Sequence, residues 1–287
     1  VYVDDNADPG WYDATHVRTI QEGINNASSG DTVFVYNGAY VENVVVSKRV
    51  FLIGFDRNNT VIDGGGFGNV INVTADGLTI AELTIQNGGD AGIEVFSENN
   101  SITGNKVSNN NVGIKISDSS KYNNITNNTI TSNNHIGIGL YFSSNYNTIT
   151  CNTISNNEYP IYFHGSSSNA IIDNKFKNNT GGILFSYSSD NNVIENNTIA
   201  NSTFYSIHLW DSSDNIITNN NIENGVHLTS SCCNIIKHNN IQSIHYSIDL
   251  SESSINNTII KNNIQNSEWG ISLFISNNNN NLFYHNN

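Results

Sequence analysis

The sequence predicts an all-β chain, a right-handed parallel β-helix solenoid of about ten coils closed at its start by a short capping helix. Three observations predict it. Pairs of Ile-like residues five apart recur every 23 residues or so, Asn flanks each pair at fixed offsets, and a short Gly-Ile-x-Leu-like segment follows each pair. A period of 20 to 50 residues is the mark of a stacked architecture, in which each unit buries its apolar face only against its neighbours.

The pairs run Ile102/Val107, Ile125/Ile130, Ile149/Ile154, Ile171/Phe176, Ile194/Ile199, Ile217/Ile222, Ile236/Ile241 and Ile259/Ile264, and Leu282 is read as opening a ninth unit. Successive steps are 23, 24, 22, 23, 23, 19, 23 and 23 residues. An earlier, less regular coil carries Ile80 and Ile85. Segments such as Gly113-Ile114-Lys115-Ile116, Gly137-Ile138-Gly139-Leu140 and Gly182-Ile183-Leu184-Phe185 alternate with period two, the pattern of very short strands. Asn two residues before each first Ile (Asn100 through Asn257 and Asn280) and three after it (Asn105 through Asn262) marks the corners. Asn tolerates left-handed backbone and, stacked at the coil repeat, can form amide ladders. Helical spacing is absent after residue 30, Asn is a poor helix former, and propeller blades need about 40 residues. Ten coils at about 4.8 Å each would make a rod about 50 Å long.

Residues 1–30 are expected to form the cap, a strand and an amphipathic helix, and residues 31–287 the β-helix. Val17, Ile20, Ile24 and Ala27 share one helical face between Thr15 and Ser28. Gly30-Asp31 then turns into the strand Thr32-Val33-Phe34-Val35. The last unit stops partway into a coil, so the natural protein is expected to continue past Asn287, with further domains or self-association open.

Composition narrows the function. The apolar fraction of 37% suits a packed core, whereas only 13% of residues are charged and Asn, about a fifth of the chain, supplies much of the polar surface. A net charge of −14 leaves no basic stripe for nucleic acid. It also repels acidic polysaccharides unless a cation bridges the two. No run of about 18 apolar residues is present to span a membrane. Cys151, Cys232 and Cys233 lack zinc-site spacing and read as replacements at repeat positions, a strained Cys232–Cys233 bridge being the alternative. Ten Asn-x-Ser/Thr sequons, Asn26 and Asn196 among them, are compatible with a glycosylated extracellular protein.

Outward positions of the Gly-Ile-x-Leu strands carry the site candidates. One column reads Glu94, Lys115, Gly139, Tyr162, Leu184, His208, His227, Asp249, Ser272, and the next reads Phe96, Ser117, Tyr141, His164, Ser186, Trp210, Thr229, Ser251, Phe274. Aromatic rings beside polar groups suit sugars, which makes Tyr141, His164, Tyr205, Trp210 and Tyr246 candidate ligand contacts. The coil beginning at Asn215 is four residues short between Ile222 and Val226, which predicts a notch between full-length neighbours bearing Tyr205 and Tyr246. Beside it His208, His227 and Asp249 should occupy consecutive rungs, a set that suits acid–base chemistry, a transition metal or plain surface polarity. Asp4, Asp5 and Asp8, near Asn6 and Asp13, are candidate Ca²⁺ ligands without the spacing of an EF-hand loop. No cofactor is otherwise required.

The segments Ile20-Gln21-Glu22-Gly23-Ile24, Gly30-Asp31-Thr32-Val33, Gly38-Ala39-Tyr40-Val41-Glu42-Asn43 and Thr60-Val61-Ile62-Asp63-Gly64 resemble the start of NosD-like proteins. These share the carbohydrate-binding and sugar-hydrolase type of parallel β-helix, broadly the pectin-lyase-like fold. The Asn-Ile coils resemble repeats of archaeal and bacterial surface proteins. The resemblance covers essentially the whole chain and implies the fold. It leaves function open, because the fold hosts lyases, hydrolases, epimerases, adhesins and surface-layer components. Polygalacturonase-like Gly-His-Gly and Arg-x-Lys motifs are absent, no Arg lies on the regular coils, and Asp8-Pro9 is followed by Gly10 where alginate epimerases have His. The expectation is a secreted or cell-surface protein, non-catalytic, binding carbohydrate or a cell-surface glycan or serving as a structural module. The alternative is a polysaccharide lyase, hydrolase or epimerase with its site near His208, His227 and Asp249. The NosD likeness adds a periplasmic metal-handling reading, weakened for copper by the lack of any Met.

Overall fold

A computed structural model describes residues 1–274 and 277–287. Its strands form three parallel sheets, of fourteen, eleven and eleven strands among the described residues. Each turn of chain contributes one strand to each sheet in rotation, so every strand pairs with its counterpart one turn earlier and one turn later. The pairs named by the sequence fall in register: Ile102, Ile125, Ile149 and Ile171 stack in the first sheet, and Val107, Ile130, Ile154 and Phe176 in the second. All these side chains are buried and belong to one apolar core running from Val3 to Ile259.

Where Gly precedes a third-sheet Ile inside the stack, as at Gly113 and Gly182, it has a steric cause. A Cβ on Gly113 would stand 2.5 Å from the Gly137 carbonyl, and one on Gly182 would stand 2.2 Å from the carbonyls of Tyr205 and Ser206. The next rung's backbone crosses too close for a side chain. At the corners, the left-handed positions are filled by Asn and by stand-ins. Asn127, Cys151, Asp173, Asn196, Asn219 and His238 all have φ between 55° and 57°. Cys151 and Cys233 are thus corner replacements, and the three cysteines are free thiols. Cys233 donates to Cys232 across 3.3 Å, which pushes its thiol up to about 11.

The Asn ladders are continuous and buried. Asn105, Asn128, Asn152, Asn174, Asn197, Asn220, Asn239 and Asn262 each donate their backbone N–H to the next Asn Oδ1 at 2.8–3.0 Å. A third ladder, Asn110–Asn133–Asn157–Asn179, lines another corner and was not singled out from the sequence.

Two expectations need correction. The last rung pairs Phe283, not Leu282, with Ile259, and Asn281, not Asn280, extends the ladder from Asn257. The final step is therefore one residue longer, because the run of Asn before it gives no unique register. The helix is also shorter, Ile20–Asn26 and not Thr15 to Ser28. Val17 is claimed by a strand, His16–Val17, that pairs with Tyr2–Val3, and Thr19 caps the helix in a reciprocal box with Glu22. The cap is continuous with the solenoid, since Tyr2–Val3 also pairs with Thr32–Val35.

Candidate functional site

The short coil makes a notch. Its second-sheet strand, Asn221–Glu223, passes to its third-sheet strand, Val226–Thr229, through Asn224 and Gly225 alone. Both have left-handed backbone, φ 68° and 74°, which lets two residues turn a corner. The coils on either side use residues 201–206 and 243–245 for the same corner and stand proud of it. Between them lies a hollow of about 340 Å³ with Thr203, Phe204 and Tyr205 on one wall, Ile244, His245 and Tyr246 on the other, and Asn224 in the floor. A second hollow of about 350 Å³ adjoins it on the other side of Phe204 and Tyr205, lined by Tyr159, Leu184 and His208.

Beside the notch His208, His227 and Asp249 do occupy consecutive rungs of the third sheet. Asp249 is buried. His227 Nδ1 approaches its Oδ2 to 2.8 Å, and Tyr205 donates its hydroxyl to the same oxygen at 3.3 Å. The His227 contact is close but poorly aligned, so His227 Nδ1 lacks a hydrogen-bond partner, and so, separately, does the other carboxylate oxygen, Asp249 Oδ1. The Tyr205 ring stacks on His227 at 4.6 Å and 15°. His208 meets His227 edge to face at 4.8 Å, and its Nε2 lies 3.1 Å from Thr229 Oγ1. Burial, with the charge of Asp249 second, pushes the Tyr205 hydroxyl up to about 12, so it stays a donor. Burial, then the neighbouring His227, pulls His208 down to about 4, so it is neutral at neutral pH.

Along the third sheet runs a belt of rings. Trp210 neighbours Tyr187 at 5.9 Å, Tyr187 neighbours His164 at 4.4 Å, and His164 and Tyr162 lead to Tyr141. Tyr141 is half-buried because its ring folds over Gly139, where a Cβ would touch it at 2.6 Å. The structure thus gathers the predicted Tyr141, His164, Tyr205, Trp210 and Tyr246 onto one face, and adds Tyr187 and Phe204, which sit in corners outside the two strand columns. A separate aromatic cluster at the start of the first sheet, Tyr2, Trp11, Phe34, Tyr36 and Phe55, was also not singled out from the sequence.

The acidic residues of the cap do not gather. Asp4 and Asp5 accept from Asn6, at 2.9 Å from its N–H and 2.7 Å from its side chain, and Asp8 precedes a short 3-10 turn without capping it. Among the described residues no group of three or more His, Cys, Asp or Glu side chains is arranged to hold a metal ion. Asp4 and Asp5 share Asn6, and no third carboxylate joins them in such a group. His208, His227 and Asp249 do not converge on a common point either, since the two rings meet edge to face.

Two family descriptions match. Residues 13–193 match the right handed beta helix region, and residues 143–269 match the periplasmic copper-binding protein NosD. The second segment offers copper no gathered donor set: the adjoining thiols of Cys232 and Cys233 have no such group around them. Among curated protein sequences none matches significantly. Solved structures similar to the chain include the A-module of mannuronan C-5 epimerase AlgE4 from Azotobacter vinelandii, at 15% identity over 93% of this chain and 90% of that one, TM-score 0.65. The catalytic domain of a GH87 alpha-1,3-glucanase in complex with nigerose is 13% identical over 94% and 67%, TM-score 0.65. A third is Geobacillus virus E2 ORF18, 15% identical over 93% and 57%, TM-score 0.64. At such identities the likeness shows the fold alone. With three parallel sheets wound in rotation and the first of these families matched over more than half its length, the chain belongs to the right-handed β-helix family.

Proposed function

We propose that the outer face of the third sheet, from Tyr141 to the notch at Tyr205 and Tyr246, binds a carbohydrate chain, and that the protein works outside the cytoplasm as a surface or secreted β-helix. The observation that carries this is the run of rings from Trp210 through Tyr187 and His164 to Tyr162, which Tyr159, 6.5 Å from Tyr162, joins to the hollows walled by Phe204, Tyr205 and Tyr246. Ring faces stack on the C–H faces of sugars, while hydroxyls and amides between them bond the sugar hydroxyls. Rungs about 4.8 Å apart let a chain lying along the rod meet one ring after another. Sugar-active proteins among the fold's solved relatives and the periplasmic family matched at residues 143–269 support both halves of the reading. No helix among the described residues is long and apolar enough to cross a membrane.

A glycan array followed by titration calorimetry tests it. Trp210→Ala and Tyr205→Ala should each weaken the best ligand by about tenfold or more, as removal of a buried aromatic anchor does. A chain that retains no glycan, or variants that bind as well as the parent, would refute the reading.

A second reading draws on the Tyr205–Asp249–His227 contacts, which place a hydroxyl donor and an imidazole on one carboxylate. It predicts turnover of a bound glycan, read as new reducing ends or unsaturated products, and abolished by His227→Ala. Binding without turnover discards it.

A further inference from the structure

The charges around the notch carry the carbohydrate reading one step further, and this step rests on it. Glu223 borders the notch floor together with Asn224, Gln242 and Ile244. Its two oxygens are held by the Asn201 N–H at 2.9 Å and by Gln242 Nε2 at 3.2 Å, which fixes the carboxylate beside the floor. Asp249 lies under Tyr205 with one oxygen unpartnered, and Glu268 stands 3.6 Å from His245 on the outer wall. Against these three carboxylates the hollows' own linings hold no Lys or Arg among the described residues. His208 is neutral, and the exposed His245 already faces Glu268.

The chain's Lys and Arg side chains stand outside the linings of the hollows. Arg18, Arg49 and Arg57 lie in the first turns of the chain. Lys115, on the same outward column as His208, is bound by Glu94 at 2.9 Å and Asp90 at 3.5 Å. Lys237 lies on the first sheet, and Lys177, in the second-sheet column of Glu223, stands two rungs from it beyond Ala200 and lines none of the hollows.

An acidic sugar seated in this notch would lose water from its carboxylate, meet Glu223 beside the floor, have Asp249 and Glu268 behind the walls, each facing an imidazole, and find no Lys or Arg in the lining, a combination that opposes binding. A neutral sugar meets the same rings and amides without that cost. We infer that the notch selects a glycan free of carboxylate and sulfate groups and rejects polyuronates.

Titration calorimetry on the full chain, with EDTA present so that no divalent cation bridges the charges, compares neutral gluco- and manno-oligosaccharides with oligogalacturonate and oligomannuronate of equal length. The expected result is neutral binding that does not change with salt. Polyuronate binding should be at least about tenfold weaker at low salt, the gap narrowing as salt screens the repulsion. The double variant Glu223→Gln, Glu268→Gln should bind polyuronate severalfold better than the parent while holding its neutral ligand. The inference falls if a polyuronate binds as tightly as the best neutral glycan at low salt, or if the double variant leaves the gap unchanged. Failure of the underlying carbohydrate reading looks different, since then neither class of glycan binds at any salt.

Discussion

Replacing Asn128 with alanine measures what one rung of an amide ladder contributes. Asn128 is buried at 1% exposure. Its Nδ2 donates to the Ile102 carbonyl at 2.8 Å and to Asn152 Oδ1 at 3.1 Å, and its Oδ1 accepts the Asn105 N–H at 2.9 Å and Asn105 Nδ2 at 3.1 Å. Alanine removes all four bonds and leaves the Asn105 N–H without that acceptor in a space closed to water. At about 1 kcal/mol for each bond, and more for an orphaned buried group, the loss should be about 3–5 kcal/mol. Asn127 is the control. It is exposed with φ 56°, so Asn127→Ala meets only the left-handed backbone penalty, about 1–2 kcal/mol. Asn127→Gly should be close to neutral. A solenoid need not unfold as one unit, so amide hydrogen exchange over the coils between Ile102 and Asn152 is the better assay. Asn128→Ala should speed exchange there about a hundredfold or more, Asn127→Ala by about thirtyfold at most. Equal effects, or a larger one at Asn127, would mean that the ladder does not hold the stack and that the corner conformation does.

Two further perturbations address the notch. Gly182→Ala should destabilise by about 2 kcal/mol or more, because its Cβ would meet the carbonyls of Tyr205 and Ser206 at 2.2 Å, whereas Gly10→Ala, with nothing within 4 Å, should be tolerated; thermal melts of the two variants decide it. His208 is held neutral down to about pH 4 in the folded chain, while the unfolded chain takes up that proton near pH 6.5. Its contribution is therefore fully present above pH 6.5 and is lost as pH falls toward 4, by up to about 3 kcal/mol. Denaturant titrations across that range should show the loss, and His208→Asn should flatten it; an unchanged slope in the variant would place the effect elsewhere.

The regular coils were legible because a parallel stack forces the same residue type to the same place on every turn. Ile125, Ile149 and Ile171 differ in spacing by a residue either way, yet they share one register because the corners absorb the difference. The notch was legible for the same reason: a four-residue gap between two anchors that still align can only come out of the corner between them. Where the anchors themselves became ambiguous, the reading slipped. The run Asn277 to Asn281 offered several equivalent ladder positions, and Leu282 was aligned where Phe283 belongs. Tyr187 and Phe204 were missed because corner residues follow no alternation, and only coordinates show that Tyr187 closes the gap between His164 and Trp210. The cap was the least legible part. Val17 fits a helical face by spacing, but pairing of His16–Val17 with Tyr2–Val3 gives its backbone strand bonds as well as burial.

The shortened coil shows how this architecture can acquire a site without weakening its core. The backbone bonds of both ladders cross the deletion: Asn215 donates its N–H to Asn234 Oδ1, and Asn220 to Asn239 Oδ1, each at 2.9 Å and each across 19 residues, not 23. Ile217, Ile222, Val226 and Leu228 stay buried. Only the corner between the second and third sheets has been removed, and Asn224 and Gly225 close it with the left-handed geometry that the other corners already use. The loss exposes the flanks of two neighbouring corners, and Tyr205 and Tyr246 are the residues those corners present. Because each coil contacts only its neighbours, the change is confined to three rungs. The same confinement explains where the unsatisfied atoms occur. Asn215 Nδ2, His227 Nδ1, Ser247 Oγ and Asp249 Oδ1 all belong to the short coil or the one after it. Buried polar atoms without partners are rare in a well-packed chain. Their concentration, among the described residues, in the short coil and the one after it marks these rungs as shaped for something other than stacking.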